Sequence, residues 1–221
     1  MPEIPAPLKD ELVFVPAKVI EKMIDFSGPY FSLHSSTDSL MNDPISVREA
    51  RRRFRDGSNV LVAGSWDLTT NEFASNKTRA MVFRKLEEGL SWEQVGAYDW
   101  MQRSIEKYGK FDGCANRGDV IERFRTLDKI IKDCRSGNGL LPQSRVNPSA
   151  NRERGGIAVA IGRNGDVISA SAGLHRLSIA QFFDLDEIPV CLSVVHPAAL
   201  RNRKWEKHLI RREDCGFHRR P

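Results

Sequence analysis

Residues 157 to 180 read Ile-Ala-Val-Ala-Ile-Gly-Arg-Asn-Gly-Asp-Val-Ile-Ser-Ala-Ser-Ala-Gly-Leu-His-Arg-Leu-Ser-Ile-Ala, and this stretch decides the fold. Ile157, Val159 and Ile161 alternate with smaller residues at a period of two, which is the pattern of a strand with one buried face. Asn164-Gly165 supplies the left-handed backbone that a tight hairpin turn needs, so Val167 to Ala172 returns as a second strand. Gly173-Leu174-His175-Arg176 then leads into a helix over His175 to Phe183. Ile188 to Val195 is apolar except for Pro189 and Ser193 and reads as a further strand. Hairpin, helix and strand in that order predict a mixed α/β (α+β) core.

Upstream, Val120, Phe124, Leu127, Ile131 and Cys134 recur at intervals of four, three, four and three, which predicts a helix from about Gly118 to Cys134, stopped by Gly137 and Gly139. Two more helices are expected near Lys77 to Glu88 and from Ser91, the latter with a capping box completed by Gln94. They read as a helical insertion at about 72–110. Val60 to Ala63 reads as a short buried strand whose end, Gly64-Ser65-Trp66-Asp67, carries polar groups. Ser46 and Glu49 have capping-box spacing and open an Arg-rich helix. Residues 1–56 are therefore expected to form an extension, with a modest helix around Ala17 to Asp25. Residues 57–200 would form the domain, and residues 201–221 a basic tail.

The run from Gly165 to Ala180, followed by Leu185-Asp186-Glu187-Ile188-Pro189-Val190, resembles the ParB/sulfiredoxin superfamily. In that family a helix and a Gly-containing turn precede a hairpin, and Gly-x-x-Arg opens a helix before an Ile-Pro-Val strand. The resemblance covers about residues 118 to 196 and implies a small mixed sheet. It further implies that Gly173, His175 and Arg176 bind nucleotide phosphates: ATP or ADP with Mg²⁺, as in sulfiredoxins and related small-molecule kinases, or CTP, as in partition proteins. Physical reasons accompany it. Glycine permits close backbone approach, the N–H groups of a helix N-terminus favour an anion, and Arg is a planar multidentate donor. Histidine exchanges a proton near neutral pH.

Two departures narrow the reading. Leu174 stands where sulfiredoxins carry their reactive Cys, which argues against sulfinic acid reduction. Ala172 stands where the related serine kinases carry Asp. A catalytic carboxylate would then come from elsewhere, and Asp67 is the candidate, with His175 contacting a phosphoryl oxygen. Asp67 could equally be a capping residue beside a core Trp. Asp166 lies in the hairpin turn, where Asp is expected for local reasons. His208, Cys215 and His218 lack a fourth zinc ligand at suitable spacing. No G-x-S-x-G, Walker A or H-E-x-x-H string occurs.

Composition bounds the rest. The 221 residues are 40% hydrophobic and 29% charged, which is ordinary globular usage. The net charge of +5 is uneven: residues 201–221 hold eight basic side chains against three acidic, and residues 46–56 hold five Arg against two carboxylates. The remaining body is mildly acidic. Nucleic acid could be held through the tail and Arg48 to Arg55, although Phe54, Trp205 and Phe217 are too few for a stacking platform. About 25 residues follow Val195, fewer than the helix-turn-helix domain of partition proteins. Four scattered cysteines without a C-x-x-C pair suggest a reducing, cytoplasmic setting, and no long apolar segment suggests a membrane span.

Three readings stand open. One is an ATP- or ADP-dependent phosphotransferase acting on an unidentified small-molecule acceptor. Another is a DNA-binding or nuclease module, and the third is a nucleotide sensor without turnover.

Overall fold

The computed structural model describes residues 7–28, 31, 33–35, 46–56, 60–147 and 155–212. They divide into two compact units. The first takes the described residues within 1–73, 141–173 and 186–221, and the second takes residues 74–140 and 174–185.

The first unit is built on a mixed sheet. Its elements are β1 (Leu12–Val15), β2 (Lys22–Ile24), β3 (His34–Ser35), α1 (Val47–Asp56), β4 (Val62–Ala63) and β5 (Thr70–Glu72). In the second unit α2 (Lys77–Glu88), α3 (Ala97–Tyr108) and α4 (Arg117–Arg135) follow. The chain then returns to the first unit through the single turn α5 (Gln143–Val146), β6 (Ile157–Ile161) and β7 (Val167–Ala172). Helix α6 (Leu174–Phe182) belongs to the second unit, and β8 (Ile188–Val195) and α7 (Pro197–Arg201) complete the first. The mixed α+β class expected from the sequence is what the structure shows.

Six strands lie in the order β1-β8-β6-β7-β2-β5. The predicted hairpin is present as β6 antiparallel to β7, and β8 runs parallel to β6. Every residue of β8 is buried, which explains why it reads as a continuous apolar run and not as an alternation. Against the sheet lies a cluster that includes Ile24, Phe26, Phe54, Trp66, Ile168 and Val194. Phe54 and Trp66 meet edge to face at 5.3 Å, so the apolar face of the Arg-rich helix α1 is anchored by an aromatic pair.

The chain's first residues depart from the sequence expectation. No helix covers Ala17 to Asp25: a 3₁₀ turn at Ala17–Val19 is followed by strand β2. Strand β1 pairs antiparallel with β8, and β2 pairs parallel with β7, so this stretch contributes to the sheet. Residues 201–212 likewise pack in the first unit. Phe14 and Ile210 exchange backbone hydrogen bonds at 2.9 and 2.8 Å, Trp205 is buried, and Arg211 donates to both oxygens of buried Glu11 at 2.6 and 2.8 Å.

The second unit is helical. Asn76 caps α2 and Asn116 caps α4 through their side-chain oxygens. The Ser91–Gln94 capping box forms in both directions, yet it caps a single turn, because Gly96 is left-handed and α3 starts after it. Helix α4 buries Val120, Phe124, Leu127, Ile131 and Cys134, the periodic set read from the sequence. Among the described residues no helix is long and apolar enough to cross a membrane.

Candidate functional site

The sequence nominates Gly173, His175, Arg176 and Asp67. Gly173 ends the first unit's segment and has φ +68°. A Cβ there would stand 2.7 Å from the Ile157 Cα and 2.8 Å from the Gly156 carbonyl oxygen. Glycine is therefore demanded by the protein's own backbone, where β7 turns away past the start of β6. The approach to this turn is irregular too. Ala158 pairs with Ala172 but Val159 pairs with Ser169, so a bulge lies between. Ser171 in that bulge takes φ 62°, an unfavourable value for a residue with a Cβ, and its hydroxyl oxygen is buried without a hydrogen-bond partner.

Helix α6 begins at Leu174, and His175 and Arg176 occupy its first turn, 5% and 8% exposed. The His175 imidazole is walled by aromatic rings, with Phe124 edge-on at 5.6 Å and Trp92 at 6.4 Å. Its Nε2 is buried and makes no hydrogen bond. Burial, aided by the positive charge of Arg123, pushes the imidazole pKa down to about 3, so the ring is neutral throughout the physiological range. This alters the role the sequence suggested. A neutral imidazole with an orphaned nitrogen can donate or accept one hydrogen bond, but it does not titrate near pH 7. The Cys134 thiol lies close enough to Arg176 to feel its charge, yet burial dominates and pushes that thiol up to about 11.

Asp67 lies in the first unit, and both its oxygens are hydrogen-bonded. Its side chain is 3% exposed. Arg163 donates to Oδ2 from its backbone N–H at 2.7 Å and from Nε at 2.8 Å, and to Oδ1 from a terminal nitrogen at 2.8 Å. That terminal nitrogen also donates to the Gly64 carbonyl at 2.7 Å. Burial alone would raise the Asp67 carboxyl, but the hydrogen bonds and charge of Arg163 outweigh it and hold it below the ordinary carboxylate range. His196 joins the same cluster: its Nδ1 caps α7 by accepting from the Ala198 N–H at 3.2 Å, and its Nε2 lies 3.3 Å from the Gly64 carbonyl. This is a tie between the β4–β5 loop, the hairpin turn and the end of β8. Neither Arg163 nor His196 was singled out from the sequence as an Asp67 partner, since the residues are about a hundred positions or more apart.

The remaining candidates resolve simply. Among the described residues no group of three His, Cys, Asp or Glu is placed to hold a metal ion. His208 is half-buried, and Cys215 and His218 lie outside the described residues. Cys114, Cys134 and Cys191 are buried. Of the basic residues flanking the core, Arg51 stacks over Phe26, Arg52 pairs with Glu49, and Arg212 pairs with Glu187. No protein-family model, no curated protein and no solved structure matches this chain.

Proposed function

We propose that this protein binds a nucleotide through the turn Gly173 to Arg176, in the manner of the ParB/sulfiredoxin superfamily that its sequence resembles. The observation that carries the reading is the orphaned Nε2 of His175. A buried imidazole nitrogen without a partner costs on the order of 1–3 kcal/mol, and its position in the first turn of a nine-residue helix puts it where free N–H groups and the helix dipole favour an anion. An ATP, ADP or CTP phosphate oxygen would accept a hydrogen bond from that nitrogen, with Arg176 supplying charge. When bound, the nucleotide would bring a transferable phosphoryl group. The chain's own contribution is to hold it and exclude water, with Leu177, Ile179 and Ala180 buried behind it in α6.

Phosphotransfer to a small molecule is the further step of the same reading, and Mg²⁺ would accompany it. Asp67 suits it poorly, since its oxygens already accept from Arg163. This engagement favours, as second reading, a nucleotide sensor without turnover. The scattered cysteines, with no C-x-x-C pair, support a reducing, cytoplasmic setting.

Calorimetric titration with ATP, ADP and CTP, each with Mg²⁺, tests the proposal. Arg176→Ala and Arg176→Gln should each weaken binding at least about tenfold while the circular dichroism spectrum is retained; unchanged affinity removes the turn from the site. Mass spectrometry of a metabolite pool incubated with the protein and ATP then separates turnover from sensing.

A further inference from the structure

Helix α3 and the turn after it bring together three aromatic rings that sequence spacing leaves apart. Trp100 and Phe111 meet edge to face with centroids 5.4 Å apart, and Tyr108 lies 6.5 Å from Phe111 with the ring planes inclined by 25°. Gly109 ends the helix with φ +74°, and Phe111 is then fixed by backbone hydrogen bonds exchanged with Cys114 at 2.9 Å. The Lys77 Nζ sits 5.6 Å from the Trp100 centroid, and the Lys107 Nζ sits 5.2 Å from that of Tyr108. At about 100° per residue, Trp100, Arg103 and Lys107 share one face of α3, whereas Asp99 and Glu106 fall on its flank.

The surface is open at Tyr108, and the cations around it, two of which lie over the rings, have no carboxylate partner among the described residues. Tyr108 is 62% exposed. Lys77, Arg103, Lys107 and Lys110 are all exposed, and none forms an ion pair with a described residue. One exposed ring backed by two half-buried ones, and edged by cations that have no carboxylate partner, fits a ligand that offers both flat π faces and repeated negative charge. Single-stranded nucleic acid has both; a duplex hides its base faces, and an acidic polypeptide has none. We propose that the Trp100–Tyr108–Phe111 surface of the second unit binds single-stranded nucleic acid, with a base stacked on Tyr108 and phosphates running past Arg103, Lys107 and Lys110. This surface is separate from the turn at Gly173 to Arg176 and does not rest on the nucleotide reading.

Fluorescence anisotropy of a labelled oligothymidylate of about 15 nucleotides, titrated with the full chain at low salt, tests it. Tyr108→Ala should weaken binding about fivefold or more, whereas Tyr108→Phe, which keeps the ring, should stay within about twofold. Lys107→Gln with Lys110→Gln should lower the slope of log affinity against log salt by about 1.4, the loss of two phosphate contacts. Because these three side chains are exposed, unchanged thermal melting is expected and ties any loss to binding. No anisotropy change at low salt overturns the proposal, as does Tyr108→Ala binding like the parent. Equal competition by a blunt duplex or by polyglutamate also overturns it, since a charged surface alone would then suffice.

Discussion

Asp67 and His175 are both buried polar side chains near the end of a strand or the start of a helix, yet their surroundings are opposites. Arg163 occupies both carboxylate oxygens of Asp67 in a flat two-pronged pair backed by a backbone N–H. His175 stands among aromatic rings with one ring nitrogen unmatched. Burial with both carboxylate oxygens hydrogen-bonded holds a fold together. Burial with hydrogen-bonding capacity left over costs stability. The difference is why the proposed nucleotide site is placed at the imidazole and not at the carboxylate.

The largest expected effect belongs to Asp67. Asp67→Ala strands the Arg163 guanidinium, and a fully buried pair broken in this way loses ~3–5 kcal/mol. Arg163 is 33% exposed at its side chain, which trims the expected loss to roughly 2–3 kcal/mol, read as a lower urea midpoint. If Asp67 were catalytic and not structural, Asp67→Asn would leave that midpoint alone and abolish turnover. Gly173→Ala follows, at about 2 kcal/mol from the left-handed backbone and the approach to Ile157; full stability would mean that the turn leading into α6 relaxes freely.

His175→Leu should be nearly silent at pH 7.5, within about 1 kcal/mol, because an apolar side chain replaces a nitrogen that had no partner. Its signature lies in acid. The folded imidazole pKa is about 3 against an ordinary 6.5, so below 6.5 the unfolded chain binds the extra proton. The stability is present above pH 6.5 and lost as pH falls toward 3, by at most about 1.4 kcal/mol per pH unit. Guanidinium melts of parent and His175→Leu across that window should diverge by this slope; parallel curves would mean that the imidazole is hydrated, and the contrast with Asp67 would fail.

What the sequence made legible was local. The α4 stripe, the Asn164-Gly165 hairpin and the apolar β8 each carry their signal within a few residues, and each forms where its pattern lies. What escaped depends on distant partners. Leu12–Val15 and Lys22–Ile24 are four and three residues long, too short to show a period, and they are strands because β8, β7 and β5 complete their hydrogen bonds. The Ser91 box was read correctly as a cap but not as the cap of one turn, since the left-handed Gly96 interrupts it. The Asp67 tie to Arg163 spans 96 positions. The aromatic group at Trp100, Tyr108 and Phe111 straddles a glycine turn that no helical spacing crosses. For the nominated turn, the sequence located Gly173 to Arg176 between a strand and a helix but not the burial that keeps His175 neutral.

The pairing of Phe14 with Ile210 bears on synthesis. Strand β1 precedes its two neighbours, β8 and Ile210, by about 175 to 195 residues in the chain. Leu12–Val15 must therefore remain unpaired until those residues are made, at roughly 5–20 residues per second a wait on the order of ten seconds or more. An apolar stretch exposed for that long is a natural target for chaperones that hold nascent chains. Circular permutants that begin near Ala74 would change the interval, and with it the yield of folded protein, without altering a contact in the finished sheet.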